Sequence, residues 1–168
     1  MNHQHSIQTL AFERVEYSVR QVRQWLGYTD LDCFVFDFYF PVTKNPARPI
    51  TLCCFACNTL PGYYNAYDPD LLAPYPGGLL ELRGPLKLTG NLVTAADMRA
   101  FLASINPADN FLQFSPSLDE HRQVRYSIRA FRRTPAGDVF DGGTINTNAS
   151  PPATAIQPVT DMAAMPAL

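Results

Sequence analysis

The sequence has 168 residues, 46% of them hydrophobic and 17% charged, with a formal net charge of −2. This length accommodates one domain, and the charged fraction is low, since about a quarter of the residues of a soluble domain are usually charged. The slight acidity argues against nucleic acid as a partner, because binding to a phosphate backbone needs a basic excess. We expect a flexible start at residues 1–10, a single α+β domain at 11–133 and a tail at 134–168.

The compartment can be inferred from the cysteines and from the absence of targeting segments. No apolar run approaches the roughly 20 residues that span a bilayer, and residues 1–8 lack the basic start and apolar run of a secretory signal. The cysteines lie in apolar, β-rich segments, which favours reduced core thiols: Cys33, Cys53, Cys54 and Cys57. We therefore expect a cytoplasmic protein without a membrane segment, metal or cofactor.

The first predicted element is a helix over residues 12–26. Its apolar residues recur at steps of three and four, as on one face of a helix: Phe12, Val15, Val19, Val22 and Leu26. Gly27 is a natural helix stop.

Two buried strands should follow, at residues 31–42 and 50–58. The first carries phenylalanines in strict alternation, which predicts one core-facing side: Phe34, Phe36, Phe38 and Phe40. Both strands are apolar on both faces, which favours an antiparallel hairpin in the middle of a sheet. A loop at 59–78 comes next, because Pro and Gly interrupt it repeatedly.

The remaining elements complete the fold class. We expect a strand at 79–89, with Gly84-Pro85 marking a bulge or an edge position, and a helix at 95–104 with Thr94 as its N-cap. Strands at 111–114 and 122–133 close the domain. The order α-β-β-β-α-β-β predicts an α+β fold with a mainly antiparallel sheet of about five strands, two helices on one face and an irregular tail, disordered or docked on a partner.

Catalytic groups are scarce in this sequence. There are three histidines, no nucleophile elbow, no phosphate-binding glycine loop and no HExxH motif. An enzyme is therefore the weaker hypothesis, and we assign no catalytic residue. The alternative to pure binding is a small-molecule site or enzyme with a pocket on the sheet, using Asp37, Tyr39 and His121 as its polar groups. Asp37 also has a purely structural interpretation, as an ion-paired or exposed strand residue.

The tyrosine-rich loop at residues 60–78 is the favoured functional segment. Tyrosine offers a large contact area with few rotatable bonds, so recognition surfaces favour it; these rings could equally fold back onto the sheet. The candidate interaction residues are Tyr63, Tyr64, Tyr67, Asp68, Asp70 and Tyr75. We expect a non-catalytic binding or assembly protein that uses this loop, and its tail as a further contact, to bind a protein partner or a second copy of itself.

A basic stripe on the last strand supports a third hypothesis. Arg125, Arg129 and Arg133 share one strand face with Phe131, an arrangement that resembles a platform for single-stranded nucleic acid. The acidity of the chain and opposing carboxylates favour a salt-bridged surface instead.

Overall fold

The computed structural model describes residues 9–28, 30–39, 49–60, 63–67, 75–149 and 155–158. These residues form twelve strands and two helices, numbered here in chain order. The strands are β1 Thr9–Ser18, β2 Cys33–Tyr39, β3 Thr51–Leu60, β4 Tyr63–Tyr67, β5 Tyr75–Arg83, β6 Asn91–Thr94, β7 Phe111–Leu118, β8 Val124–Thr134, β9 Gly137–Val139, β10 Thr144–Asn146, β11 Asn148–Ala149 and β12 Ala155–Pro158. The helices are α1 Val19–Trp25, which follows β1, and α2 Ala95–Ser104, which follows β6.

The described strands form two sheets around one core. The first has the order β10-β8-β7-β1-β5, with β9 added beside β8, and the second has the order β11-β6-β2-β3-β4-β12. Every pairing between these strands is antiparallel except that of β12 with β4. The α+β class with mainly antiparallel strands is confirmed, but the strands form two six-stranded sheets instead of one sheet of about five.

The helix predicted at residues 12–26 is wrong in its first half. Residues 9–18 form β1, and the helix is confined to α1, where Ser18 caps the N-terminus by accepting a hydrogen bond from the backbone N–H of Gln21 at 3.0 Å. Phe12 and Val15 are both buried, and the pairing register with β5 shifts between Glu13 and Val15. This local irregularity places two core residues three positions apart, a spacing that imitates a helical face.

The phenylalanine-rich strand and its hairpin partner are confirmed. β2 pairs with β3 in antiparallel register, with Phe36 opposite Cys54. Phe34 and Phe36 lie at 1% and 0% exposure in the central core, whereas Phe38 is half-buried against it; Phe40 lies outside the described residues. Cys33, Val35 and Cys57 form a smaller apolar cluster of their own. Cys54 belongs to the main core and Cys57 to the smaller cluster, as opposite faces of one strand require.

The loop predicted at residues 59–78 contains regular structure. β3 extends to Leu60, β4 occupies Tyr63–Tyr67, and β5 begins at Tyr75 and ends before the cis peptide bond at Gly84-Pro85. Two residues of β5, Gly77 and Gly78, lie opposite the single residue Arg14 of β1, which is a β-bulge. Gly78 has a φ of +108°, and a Cβ at Gly77 would lie 3.2 Å from the carbonyl oxygen of Arg14. The glycines thus permit a strand where composition predicted a loop.

The first part of the tail belongs to the domain instead of being irregular. β9 and β10 both pair with β8, and β11 pairs with β6 in the second sheet. Thr147, between β10 and β11, is buried. The chain therefore crosses from one sheet to the other at this point and connects them.

Helix α2 has the predicted bounds and cap. Thr94 accepts a hydrogen bond from the backbone N–H of Asp97 at 3.0 Å, and the helix buries Met98, Phe101 and Leu102 in the core. The strand β6 before it had no counterpart in the sequence analysis. Of the two described helices, α1 has seven residues and α2 has ten, and neither is long and apolar enough to cross a membrane.

Replacing Phe36 with alanine should lower the free energy of unfolding by about 3–5 kcal/mol, because it empties a fully buried site. The Phe36 ring packs against that of Phe114, with 5.2 Å between the ring centroids. Urea titration measures the loss, with Leu79→Ala as the control, since Leu79 is 62% exposed and should change stability by less than about 0.5 kcal/mol. A loss below about 1 kcal/mol for Phe36→Ala would contradict the assignment of this strand face to the core.

Candidate functional site

The residues of the predicted sheet pocket lie on different sheets. Asp37 and Tyr39 belong to β2 in the second sheet, whereas His121 is exposed in the turn between β7 and β8 of the first. Asp37 is exposed, but the atoms around it desolvate its carboxylate enough to raise its pKa above the ordinary value. No described contact joins Asp37 to His121. The pocket of Asp37, Tyr39 and His121 therefore remains a prediction from sequence.

The tyrosine-rich segment is described only in part. The backbones of Tyr63, Tyr64 and Tyr67 lie on β4, which pairs with β3 on one side and β12 on the other, and Tyr75 begins β5. Asp68 and Asp70 lie outside the described residues. The role of this segment in contacts stays a prediction.

The three arginines of the predicted stripe have three different environments. Arg125 is buried, with 7% exposure, in a network of hydrogen bonds. The guanidinium of Arg133 lies between Glu16, at 2.9 Å, and Asp138, at 3.2 Å. Hydrogen bonds to Asp138 and then to Glu16 raise the pKa of Arg133 further above its ordinary value. Arg129 is exposed and has no ion pair among the described residues.

The aromatic rings beside this stripe contact one another and the arginines. The Phe140 ring stacks on Phe131 at 4.8 Å between centroids, and the guanidinium of Arg129 lies 4.0 Å from the Phe140 centroid. Phe131 stacks in turn on Phe111 at 5.5 Å, and Arg133 lies over both of these rings. Because Phe131 is fully buried and the other two rings are half-buried against it, the arrangement differs from an exposed platform of free rings on which bases stack.

A groove of about 530 Å³ lies beside Arg129. We call it the arginine groove, and its lining residues are Arg14, Gln113, Ser115, Ser127, Arg129, Phe140 and Thr144. Four neighbouring strands position it. The register places Gln113 of β7 opposite Arg129 of β8 and Ser115 opposite Ser127, and Thr144 of β10 pairs with Arg129 from the other side.

The lining is cationic and rich in hydrogen-bond donors. It contains two guanidinium groups and no carboxylate, and Arg14, like Arg129, has no ion pair in the described part of the chain. The Ser115 hydroxyl donates to Gln113 Oε1 at 3.4 Å, and the Ser127 hydroxyl donates to Asn146 Oδ1 at 2.9 Å. The two guanidiniums are therefore the strongest donors left for a ligand.

Arg125 anchors a separate polar network, the Arg125 cluster. It comprises Thr89, Asn91, Asp119, Gln123, Arg125 and Thr147. Asn91 is fully buried, and its Oδ1 accepts from Arg125 at 3.1 Å and from the Thr147 hydroxyl at 2.7 Å. Its Nδ2 donates to the carbonyl oxygens of Thr89 and Val124, so both polar ends of this side chain are satisfied.

A second groove adjoins this cluster. It has a volume of about 520 Å³, and its lining includes His121, Asn146 and Asn148 beside members of the cluster. The backbone N–H groups of Gln123 and His121 donate to Asp119 and hold the pKa of its carboxyl below the ordinary value. Asp119 and Arg125 also form an ion pair at 3.4 Å. Because these charges compensate each other, this groove offers a ligand less uncompensated charge than the arginine groove.

The described residues do not assemble a recognisable catalytic group. Within the described ranges, no three His, Cys, Asp or Glu side chains lie close enough to hold a metal ion. The described cysteines, Cys33, Cys54 and Cys57, are buried, and burial raises the pKa of Cys57 far above its ordinary value, which disfavours the thiolate.

Sequence reasoning identified Arg129 but missed the rest of the arginine groove. Arg14 was assigned to a helix, and Phe140 and Thr144 to an irregular tail. The outward alternation of β8 was the available signal, since it placed Ser127 and Arg129 on one face. Nothing in the sequence indicated that the tail lies beside this strand or that β1 lies beside β7.

The chain matches no protein-family model, and no curated protein or solved structure is significantly similar to it.

Replacing Thr147 with valine should lower the free energy of unfolding by about 1–3 kcal/mol, since a buried donor loses its acceptor. The Thr147 hydroxyl oxygen accepts from the backbone N–H of Tyr126 at 2.9 Å, and valine has the same shape without that oxygen. The control is Thr144→Val, because Thr144 is exposed and makes no described side-chain hydrogen bond. Equal denaturation midpoints for the two variants would contradict a stabilising role for the tail crossing.

Proposed function

We propose that this chain is a non-catalytic binding protein whose ligand occupies the arginine groove and carries negative charge. The observation that carries the proposal is the pair of guanidiniums, Arg14 and Arg129, in one concave site whose described lining has no carboxylate. A chain with a net charge of −2 has ample carboxylates to neutralise exposed arginines. Elsewhere on the same sheet it does so, as Arg133 lies between Glu16 and Asp138.

The groove is also prepared for binding before a ligand arrives. Arg129 stacks over the Phe140 ring, and a guanidinium that stacks through its face still donates hydrogen bonds in its own plane. Less side-chain freedom is lost on binding when a donor is held in advance. The volume of about 530 Å³ falls within the range of small-molecule sites. These features support a small-molecule pocket on a sheet, formed by other residues than Asp37, Tyr39 and His121.

Anions should raise the melting temperature of the protein through the arginine groove. The probes are phosphate, sulfate and citrate, with glucose as a neutral compound and choline as a cation. At about ten times its dissociation constant, an anion that binds the folded state should raise the melting temperature by about 3–6 °C. In the double variant Arg14→Ala/Arg129→Ala this rise should be lost.

The matched control is Arg20→Ala/Arg23→Ala, which removes the same charge from exposed positions outside this groove. An anion effect that persists in the groove variant, or that both double variants reduce equally, would contradict the proposal. A wild-type protein that no anion stabilises at millimolar concentration would contradict it as well.

Assembly through residues 60–78 is a second proposal, and it concerns contacts between chains instead of the groove. Three tyrosines within the five residues of β4 support it, together with a charged fraction of 17% that leaves little repulsion between copies. We propose on the same grounds a homo-oligomer or a protein partner. The buried cysteine thiols favour a cytoplasmic location, because disulfides persist in oxidising compartments.

The triple variant Tyr63→Ser/Tyr64→Ser/Tyr67→Ser should lose association while keeping a nearly unchanged melting temperature. Sedimentation velocity measures the assembly state, and thermal melting monitored by circular dichroism measures the fold. Wild-type protein that is monomeric at high concentration and has no protein partner would refute the assembly proposal. Unfolding of the triple variant would show that the tyrosines serve the fold instead.

A further inference from the structure

We propose that the ligand of the arginine groove is a phosphorylated, hydroxyl-rich and non-aromatic small molecule, of the sugar-phosphate class. This inference rests on the proposed binding function and narrows the chemistry of the same site. It draws on the charge of the lining, its hydrogen-bond donors, its volume and the state of its one aromatic ring.

The charge of the lining matches one phosphate monoester. The two guanidinium groups are positively charged, as arginine side chains in proteins are, and two acidic groups of the same sheet are already engaged, since Glu16 and Asp138 both bind Arg133. A phosphate monoester carries a charge of about −1.5 to −2 at neutral pH, which balances two guanidiniums. A single carboxylate or a sulfate ester would leave one guanidinium unbalanced.

The hydrogen-bonding character of the groove favours an acceptor with several oxygens. Both serine hydroxyls donate to neighbours, Ser115 to Gln113 and Ser127 to Asn146. Guanidiniums have five N–H donors in a planar fork and no acceptor, and this fork fits phosphate oxygens in pairs. A terminal phosphate supplies three such oxygens.

The volume requires more than a phosphate group. About 530 Å³ accommodates a ligand of small-metabolite size. Beyond the arginines, the lining is polar and uncharged, with Gln113, Ser115, Ser127 and Thr144. Side chains of this kind pair with hydroxyl groups, so the rest of the ligand should be a polyol or a sugar.

The aromatic ring of the described lining is already engaged. Phe140 is the one aromatic side chain among the described lining residues, and its ring contacts Phe131 and the guanidinium of Arg129. A base that stacked on Phe140 would compete with these contacts, so a nucleotide gains less from its base here than on a free ring. This distinguishes the proposed ligand from nucleotides and single-stranded nucleic acid, which are held largely by stacking.

Titration of the ¹⁵N-labelled full chain with glucose 6-phosphate tests the inference. Its matched comparison compounds are glucose 6-sulfate, glucose and AMP. We expect glucose 6-phosphate to shift the backbone amides of the groove residues and to bind at least about tenfold more tightly than the sulfate ester near pH 7.5. This advantage should shrink near pH 5.5, because the second phosphate proton binds with a pKa of about 6 and the described residues of the groove lining include no histidine.

Single variants connect the binding to the two guanidiniums. Arg129→Ala should weaken glucose 6-phosphate binding about tenfold or more, and Arg129→Lys, which keeps the charge without the planar fork, should fall between that variant and wild type. Arg20→Ala should bind like wild type. Because the amide shifts in wild-type protein locate the ligand on their own, the test does not depend on any variant folding.

Three outcomes would overturn this inference while leaving the proposed function intact. These are equal affinity for glucose 6-sulfate, tighter binding of AMP, and stabilisation by citrate through Arg14 and Arg129 without any effect of glucose 6-phosphate. Failure of every anion to act through these arginines would instead refute the proposed function.

Discussion

The bulge between β1 and β5 is the constraint on which the first sheet depends. Gly77 and Gly78 lie opposite Arg14, and a Cβ at Gly77 would lie 3.1 Å from the Glu16 side chain. Phe12 and Val15 are both buried around this point. After the bulge, the residues of β1 from Val15 to Ser18 pair with β7. Before the bulge, Phe12 forms a β-bridge with Ile50, the residue that precedes β3 of the second sheet. One irregular step thus connects two sheets and places Arg14 beside β7.

The opposite connection between the sheets is polar. The tail pairs with β8, passes through Thr147 and then pairs with β6. Asn91 and Arg125 hold this crossing through the Thr147 hydroxyl and a set of satisfied hydrogen bonds. A buried network of this kind is tolerated because its members have partners, whereas a partly satisfied one would cost stability. Since the tail also supplies Phe140 and Thr144, the arginine groove is complete only when the tail is docked.

The arginines of β8 show how identical side chains on one strand face acquire different roles. Buried Arg125 has neutral and acidic partners and stabilises the tail crossing. Arg133 neutralises two carboxylates. Arg129 has no carboxylate partner among the described residues and lies over Phe140 beside the arginine groove, whose described lining holds no acidic residue. Surface ion pairs contribute little to stability, so their absence at Arg129 and Arg14 costs the fold little, and the proposed binding role rests on these two charges.

Several features of the fold could be predicted from local sequence. The alternation of phenylalanines along β2 identified a core strand, and the cap at Thr94 with the apolar stripe of α2 identified a helix and its bounds. These features are encoded within a single element, because periodicity and capping depend on neighbours along the chain. The same local reasoning failed at residues 12–18, where an irregular step in β1 imitates helical spacing.

The arginine groove was decided by tertiary structure. Arg14, Gln113, Arg129 and Thr144 come from four strands that are distant in sequence and adjacent only through the order β1-β7-β8-β10. The residue types reveal hydrogen-bonding capacity and charge, but they do not reveal which charged side chains form pairs. Glu16 pairs with Arg133, which is 117 positions away. Arg129 has no carboxylate partner in the part of the chain that the structure describes. Sequence by itself determined the periodic elements and the small number of catalytic groups. Strand order determined the site, because the pairing of β-strands depends on contacts that local pattern does not specify.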